Sequence, residues 1–573
     1  MKKFLTLALG VVAMMFASCS NDEPEVPVNG GADSDVYATL TLRLPSASTG
    51  RAGSNGIEIG QPTENTVGKL LVVLATKNEN GQYCFLTSAE TDARPNGSDA
   101  TLNTIKYTLN FSAKDLNPNP LDKDENSGGA SIPGTTVYTF VYCNPSAMLL
   151  DRFNVSKGVV IDNIYASLDD KDNSSMWTAN KFLMTNSEIS APKQIPSRED
   201  LVNKHNAPEK AFNLGVVKVK RCAARFDFQI VNDNKYDIKD IEDPTKKVGT
   251  IELTKMAMFN IQKSFYYLPH VSETWAWTVP VQSGVLNYGL CEDTEAGYVM
   301  SYNEGNFKNK LLGTTYRNQF YSNIIDANLK SDKEGGLTHD LCWTSIKPED
   351  WNKRGEDDNE GWTPSEETDY RIWRYTTENT IPQLSNGQGT ASQRQGITTG
   401  VVFKGEFTPV NTEVWNGNVV YVHNNLVYGD FKALCAYIAK YPESVVANDF
   451  KNVDKFKNVD PETADLKANL LDGVDGVNRH GFKAYVADEN GKYSMYYFYF
   501  NRHNTNGNNS LMGTNEFGVV RNNVYKLRVT KIESLGDPKA PNNPEDPNEE
   551  ENAYFTVSCE VLPWTVRINN IDF

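Results

Sequence analysis

Apolar and polar residues alternate with a period of two in several parts of this chain. From Val36 to Leu44 the sequence reads VYATLTLRL, with Val36, Ala38, Leu40, Leu42 and Leu44 on one face. Tyr37, Thr39, Thr41 and Arg43 fall on the other. Successive strand side chains point to opposite faces, so the pattern predicts a strand with one face to bury. Near the other end, AYFTVSCEVL (553–562) repeats the pattern, with Phe555, Val557, Cys559 and Val561 on one face. Runs rich in β-branched and aromatic residues predict further strands over 69–76, 137–143, 216–219, 224–230, 251–261, 400–407, 419–422, 493–500 and 524–532. Clusters of Asn, Gly, Pro and Asp punctuate them. Helical spacing is rare and clearest at 429–439, where Phe431, Leu434, Cys435 and Ile438 recur behind Asp430. Many short strands with long loops predict an all-β protein of β-sandwich domains. The polar run from Ser197 to Glu209 places a domain boundary near residue 216.

The first residues change the picture. Met1, Lys2 and Lys3 precede an apolar stretch from Phe4 to Ala17 that is too short to span a membrane. It ends Phe16-Ala17-Ser18-Cys19, and the polar, acidic residues Ser20, Asn21, Asp22 and Glu23 follow. Small residues before a cysteine suit a lipoprotein signal peptidase. Residues 1–18 are therefore expected to be removed and Cys19 to carry the lipid. The lipid would then be the chain's sole membrane anchor.

Charge and chemistry narrow the function. The 573 residues carry a formal net charge of -17, which argues against nucleic acid as a partner. Seven cysteines remain beyond Cys19: Cys84, Cys143, Cys222, Cys291, Cys342, Cys435 and Cys559. None forms a C-x-x-C pair, and most read as core residues. The six histidines show no metal-ligand spacing. Asp122-Lys123-Asp124-Glu125-Asn126 resembles the start of a calcium loop, but Ser127 stands at the turn glycine and Pro133 at the closing glutamate. No metal and no cofactor is expected. With no nucleophile elbow, P-loop or dinucleotide fingerprint, the chain is not expected to be an enzyme. Segment 331–370, with its acidic run from Glu356 to Glu360, reads as a solvated loop. Trp373, Tyr375 and the aromatics from Tyr496 to Phe500 read as core rather than as a sugar platform.

The surroundings of the two terminal strands suggest a relation between them. The first is followed by a small-residue loop, 46–56, carrying one arginine, Arg51, before Ala52. An extended, unpaired loop of this kind can enter a protease site. The last is preceded by DPKAPNNPEDPNEEEN (537–552), a proline- and acid-rich tether able to reach roughly 50 Å when extended. This suggests strand exchange: proteolysis frees the first strand, and the last strand of another subunit takes its place. Pro563 is expected to break the ladder, so that Trp564, Val566 and Ile568 form a second donor segment.

With these features the chain resembles the major fimbrial subunit (fimbrillin) family of Bacteroidales, in particular its short-fimbria type. The resemblance is carried by the lipobox at Cys19, the Arg51-Ala52 loop and VKVKRCAARF (217–226). It continues in RNNVY (521–525) leading to KIESLG (531–536), the linker, and Val561-Leu562-Pro563-Trp564. Segments 373–380 and GITTGVVFKG (396–405) add to it. The resemblance implies two transthyretin-like β-sandwich domains and assembly as a type V pilus stalk supporting adhesion or biofilm formation. It implies a lipidated outer-membrane precursor, cut after Arg51 by an Arg-specific protease and polymerised on the cell surface by C-terminal strand donation. Its partners would be copies of itself and the anchor and tip subunits.

On that basis the chain divides into a signal peptide (1–18), a propeptide (19–51) holding the strand of Ala38, Leu40, Leu42 and Leu44, and an N-terminal sandwich (52–215). A C-terminal sandwich (216–536), a linker (537–552) and a donor segment (553–573) with Phe555, Val557, Cys559, Val561 and Trp564 complete it. A tip or anchor subunit, or a glycan-binding surface lipoprotein, are the alternatives. A tip needs no donor strand and an anchor need not lose its first strand, so the presence of both devices favours the stalk.

Overall fold

The computed structural model describes residues 35–45, 58–92, 104–117, 298–301, 320–321, 343–353 and 555–565, and most of 135–272, 370–456 and 481–538. The described residues are mostly strands, with few and short helices.

An eight-stranded sheet gathers most of the described strands in the first 221 residues. Its order is Tyr83–Thr91, Leu70–Lys77, Thr136–Cys143, Met184–Asn186, Phe212–Arg221, Asp35–Arg43 and Thr104–Ser112, with Lys193–Gln194 paired to Thr136–Cys143. The uninterrupted apolar run LLVVLAT has a physical reason, since both of its faces are covered. Leu70, Val72 and Leu74 join one core, and Leu71, Val73 and Ala75 another.

A second, five-stranded sheet runs Glu58–Ile59, Phe555–Thr565, Asn523–Ile532, Ala224–Gln229, Arg371–Thr376. It faces a third sheet in the order Lys235–Lys239, Lys247–Phe259, Gly400–Pro409, Tyr493–Phe500. Phe226, Phe228, Tyr525 and Leu527 from one share a buried core with Ile251, Leu253, Phe403 and Met495 from the other. Phe228 meets Phe403 across the gap at 5.8 Å between ring centres. This is sandwich packing, with alternate residues of each strand pointing inward.

Between two strands of the third sheet the chain inserts a small unit. It comprises the strands Val419–His423, Leu426–Tyr428 and Phe482–Val486 and the helices Phe431–Lys440 and Val445–Asn452. Asp430 caps the first helix by accepting from the Ala433 N–H at 2.6 Å. Leu434 and Phe431 are buried, while Cys435 is only half-buried.

Three expectations need correcting. Segment 331–370 is not wholly a solvated loop, because it supplies the strand Thr344–Ser345, the helix Pro348–Trp351 and the buried Trp343, Ile346 and Trp351. Aromatic burial outweighs the charged neighbours there. The boundary expected near 216 falls inside the strand Phe212–Arg221, and the chain changes sheets at Cys222-Ala223. Pro563 does not break the last strand, which runs unbroken from Phe555 to Thr565. The reason lies in the register. Pro563 sits opposite Asn523 at the end of one ladder, and the ladder to Glu58–Ile59 begins only at Trp564.

Candidate functional site

The strand Asp35–Arg43 occupies an interior position of the first sheet. It runs antiparallel to Thr104–Ser112 along all nine residues, from Asp35 opposite Ser112 to Arg43 opposite Thr104. On its other side it runs parallel to Phe212–Arg221, from Ala38 opposite Phe212 to Arg43 opposite Lys218. That second ladder carries a bulge where the register steps from Asn213 to Gly215. Gly215 adopts φ +100, which side chains disfavour, and the Asn213 side chain accepts from its N–H at 2.8 Å. Val36, Ala38, Leu40 and Leu42 are wholly buried, and Leu44 just beyond the strand is nearly so. They lie in one core with Leu109, Phe111, Val141, Leu214, Val217 and Val219. Withdrawing this strand would bare an apolar floor and two unpaired ladder edges, each costly to leave exposed.

The C-terminal strand lies in the second sheet. It runs antiparallel to Asn523–Ile532, from Phe555 opposite Ile532 to Pro563 opposite Asn523. Val557, Cys559 and Val561 stand opposite Val529, Leu527 and Tyr525. Among the described residues its far edge carries Glu58 and Ile59 alone, opposite Trp564 and Thr565. The two terminal strands are thus flanked differently: the first is covered along most of both edges, the last along one.

The chain leading to the linker is fastened at its root. Tyr496 and Asp537 exchange backbone hydrogen bonds at 2.7 and 2.8 Å, and Lys483 pairs with the Asp537 carboxylate at 2.9 Å. The Tyr485 hydroxyl donates to the Gly536 carbonyl at 2.6 Å. A Cβ on Gly536 would lie 2.6 Å from the Tyr496 carbonyl oxygen, so a side chain has no room there.

Where the chain crosses between sheets, a buried charge cluster ties four segments together. Arg225 donates to both oxygens of Glu64 at 3.3 and 3.2 Å and to the Asp227 carboxylate at 2.9 and 2.8 Å. Glu64 also accepts from the Tyr375 hydroxyl at 2.5 Å and the Gln61 N–H at 2.6 Å. Arg221 donates to the Glu64 carbonyl at 3.2 Å, the Asn522 side chain at 3.3 Å and the Asn65 side chain. Burial lowers the Arg221 guanidinium to about 9. A parallel pair joins Arg521 to Glu378 at 3.1 Å, with Arg521 also donating to the Tyr266 and Tyr267 carbonyls. These groups are matched in charge and satisfied by hydrogen bonds, as buried ions must be. Their one sequence signal is the placing of Arg221 and Arg225 inside an otherwise strand-like apolar run.

Of the expected site residues, Ala38, Leu40, Leu42 and Leu44 come together in one core. Phe555, Val557, Cys559, Val561 and Trp564 share one strand. Cys19, Arg51 and Ala52 lie outside the described residues, as do Asp122 to Asn126, Val566 and Ile568. Trp373 and Tyr497 are buried, in keeping with core aromatics. Among the described residues no group of three or more His, Cys, Asp or Glu is placed to hold a metal ion. No described helix is long and apolar enough to cross a membrane.

Residues 489–570 match the family model for the major fimbrial subunit protein type IV, fimbrillin, C-terminal region. The match spans the strands Tyr493–Phe500, Asn523–Ile532 and Phe555–Thr565. Among solved structures, a fimbrilin from Porphyromonas gingivalis W83 aligns with 13% identity and a TM-score of 0.34, covering 93% of this chain and 98% of that one. The tip fimbrial protein Mfa3 from Porphyromonas gingivalis, with C-terminal truncation, aligns with 10% identity and a TM-score of 0.29, covering 92% and 100%. Comparison with curated proteins gave no match.

Proposed function

From the premise that this chain belongs to the fimbrillin family through its C-terminal region, we propose that it is the repeating stalk subunit of a surface fimbrium. The family is one of fimbrial subunits, structural rather than enzymatic. In this reading the chain is exported as an outer-membrane lipoprotein on Cys19 and cut between Arg51 and Ala52 by an Arg-specific protease. It then polymerises with copies of itself, between anchor and tip subunits. Two sandwich domains divided at Cys222-Ala223 serve as acceptor and donor halves.

The observation that carries the proposal is the position of the strand Asp35–Arg43. It is an interior strand, and the chain passes from it into the body through the segment that holds Arg51. Cutting that segment turns an integral strand into a separable peptide. The C-terminal strand is its natural substitute. It has the same alternation, is eleven residues long against nine, and sits on a proline-rich tether. In its own chain one edge is covered along nine residues and the other along two. In the groove the first strand is covered along nine and six. Among the described residues the groove thus offers a strand more ladder partners than the C-terminal strand has in its own chain, which supports strand addition as the mode of assembly.

Deleting residues 553–573 tests the proposal. The expected product is a folded, cleavable monomer that forms no polymer. Detergent-resistant polymers of ordinary length from the deletion variant would refute strand donation.

A further inference from the structure

We propose that tension along the polymer crosses this chain by one short route, in which the parallel ladder between Ala224–Gln229 and Asn523–Ile532 is the mechanical clamp. The inference rests on the polymerisation reading above. A subunit in a fibre is pulled at two places: at the linker that carries its donor strand, and at the groove that holds its neighbour's. The linker leaves from Asp537, which follows Asn523–Ile532 after the short segment Glu533 to Gly536. One wall of the groove is Phe212–Arg221, which continues through Cys222 and Ala223 into Ala224–Gln229. The two strands that receive the pull are hydrogen-bonded neighbours, from Arg225 opposite Val524 to Gln229 opposite Arg528.

Their relative direction decides how they yield. The strands are parallel, and the pull enters at the first residue of one and the last residue of the other. Those are opposite ends of the ladder. Such loading shears the ladder, so its bonds bear the tension together. Loading at adjacent ends would unzip them singly. The ladder is also dry, with Phe226, Phe228, Tyr525 and Leu527 wholly buried, so water has no ready access to its bonds. The Phe226 and Tyr525 rings stack at 4.8 Å.

Both ends of the route are pinned. At the exit, Asp537 and Gly536 are held by Tyr496, Lys483 and Tyr485. At the entry, the Ala223 carbonyl accepts from the Asn522 N–H at 2.7 Å, and the Cys222 N–H donates to the Leu183 carbonyl at 3.0 Å. The buried Arg225 cluster fixes Glu64 to the same point. The helices Phe431–Lys440 and Val445–Asn452 of the inserted unit lie outside this route, although its strand Phe482–Val486 supplies Lys483 and Tyr485 to the exit. That helical part can vary in size without lengthening the path of tension.

The test is single-molecule pulling of the full chain, with handles attached at Val216, which is half exposed on the groove wall, and at Glu545 in the linker. At constant force, Phe226→Ala is expected to shorten the time to first rupture about 100-fold or more. Leu434→Ala empties a comparable buried site in the inserted unit and is expected to leave that time unchanged, although both variants lower the urea midpoint. Should Phe226→Ala not fold, Phe226→Leu gives a smaller shift in the same direction. Equal shortening by Phe226 and Leu434 variants, or no shortening by the Phe226 variants, overturns the proposal. A single chain is pulled, so failure to polymerise produces neither outcome and is read separately from the 553–573 deletion.

Discussion

Cutting the chain after Arg51 is expected to leave the strand Asp35–Arg43 in place until a donor strand displaces it. Val36, Leu40, Leu42 and Leu44 are all buried, and such side chains contribute about 1.5–3 kcal/mol each, or about 6–12 kcal/mol together. Two ladders add to that, so a broken peptide bond alone does not expel the strand. The perturbation that tests this is Leu40→Ala, at a wholly buried site in the middle of the strand. Removing a leucine side chain from a packed core costs about 2–5 kcal/mol. If the body keeps its shape, the cut peptide should then bind about 30- to 4,000-fold more weakly. Thr41→Ala, on the partly exposed face, should change retention little. The assay replaces residues 48–53 with a site for a specific protease, cuts the purified precursor, and follows the peptide by gel filtration and mass spectrometry. Wild-type peptide should co-elute with the body, and Leu40→Ala peptide should separate. Immediate loss of the wild-type peptide, or equal retention of both, would refute the reasoning.

Cys19→Ala should abolish incorporation of labelled glycerolipid and surface assembly, read by metabolic labelling and immunoblotting of sheared cells. Glu64→Ala should lower stability by about 3–5 kcal/mol in urea unfolding, because it removes the carboxylate that pairs with the buried Arg225 guanidinium and whose charge also acts on Arg221, while Asp227 still serves Arg225. Asp162 is raised to about 6, chiefly by burial, and one of its carboxylate oxygens has no hydrogen-bond partner among the described residues. A carboxyl raised on folding gives stability that is present below its unfolded value near 4 and lost as pH rises through about 6. Asp162→Asn should therefore gain up to about 3 kcal/mol relative to wild type between pH 4 and pH 7.5; a pH-independent difference in urea midpoints would sink this. The neighbouring His270 is lowered to about 3 by burial, and its ring stacks on Tyr266 at 3.7 Å. Its contribution has the opposite sign, present above pH 6.5 and lost toward pH 3, so replacing it with Phe should reduce acid sensitivity as measured by urea midpoints at pH 4 and 7.

What could be read from residues alone follows from which forces are local. Alternation at Val36 to Leu44 reports burial of one face, and the sheet buries that face. Asp430 before an apolar helical stripe reports a capped helix, and the cap is formed. The pairing of strands is not local. Parallel contact between Asp35–Arg43 and Phe212–Arg221 joins residues far apart in sequence, and no pattern in either names the other. The buried cluster was hidden for the same reason. Glu64 stands in a polar stretch, GQPTEN, that reads as surface, and its burial depends on Arg225 and Tyr375 arriving from distant strands. Trp343 and Trp351 were obscured by charged neighbours, because a charge-rich window averages away two large side chains that burial treats singly.

The position of Pro563 shows how register can reverse a local rule. Taken alone, a proline in a strand argues for an interruption, since it lacks the N–H that a ladder needs. Here it lies opposite Asn523, the first residue of its partner strand, and the pairing with Glu58–Ile59 starts one residue later. The proline thus occupies the handover between two ladders, where a missing donor costs least. The same placement limits how far the strand is secured in its own chain. Beyond Pro563 the described residues are Trp564 and Thr565, and their partners follow the Arg51 loop directly in sequence. A cut in that loop leaves Glu58–Ile59 close to a new chain end, where short strands fray first. The cut that makes the first strand separable thereby also loosens the far edge of the last one.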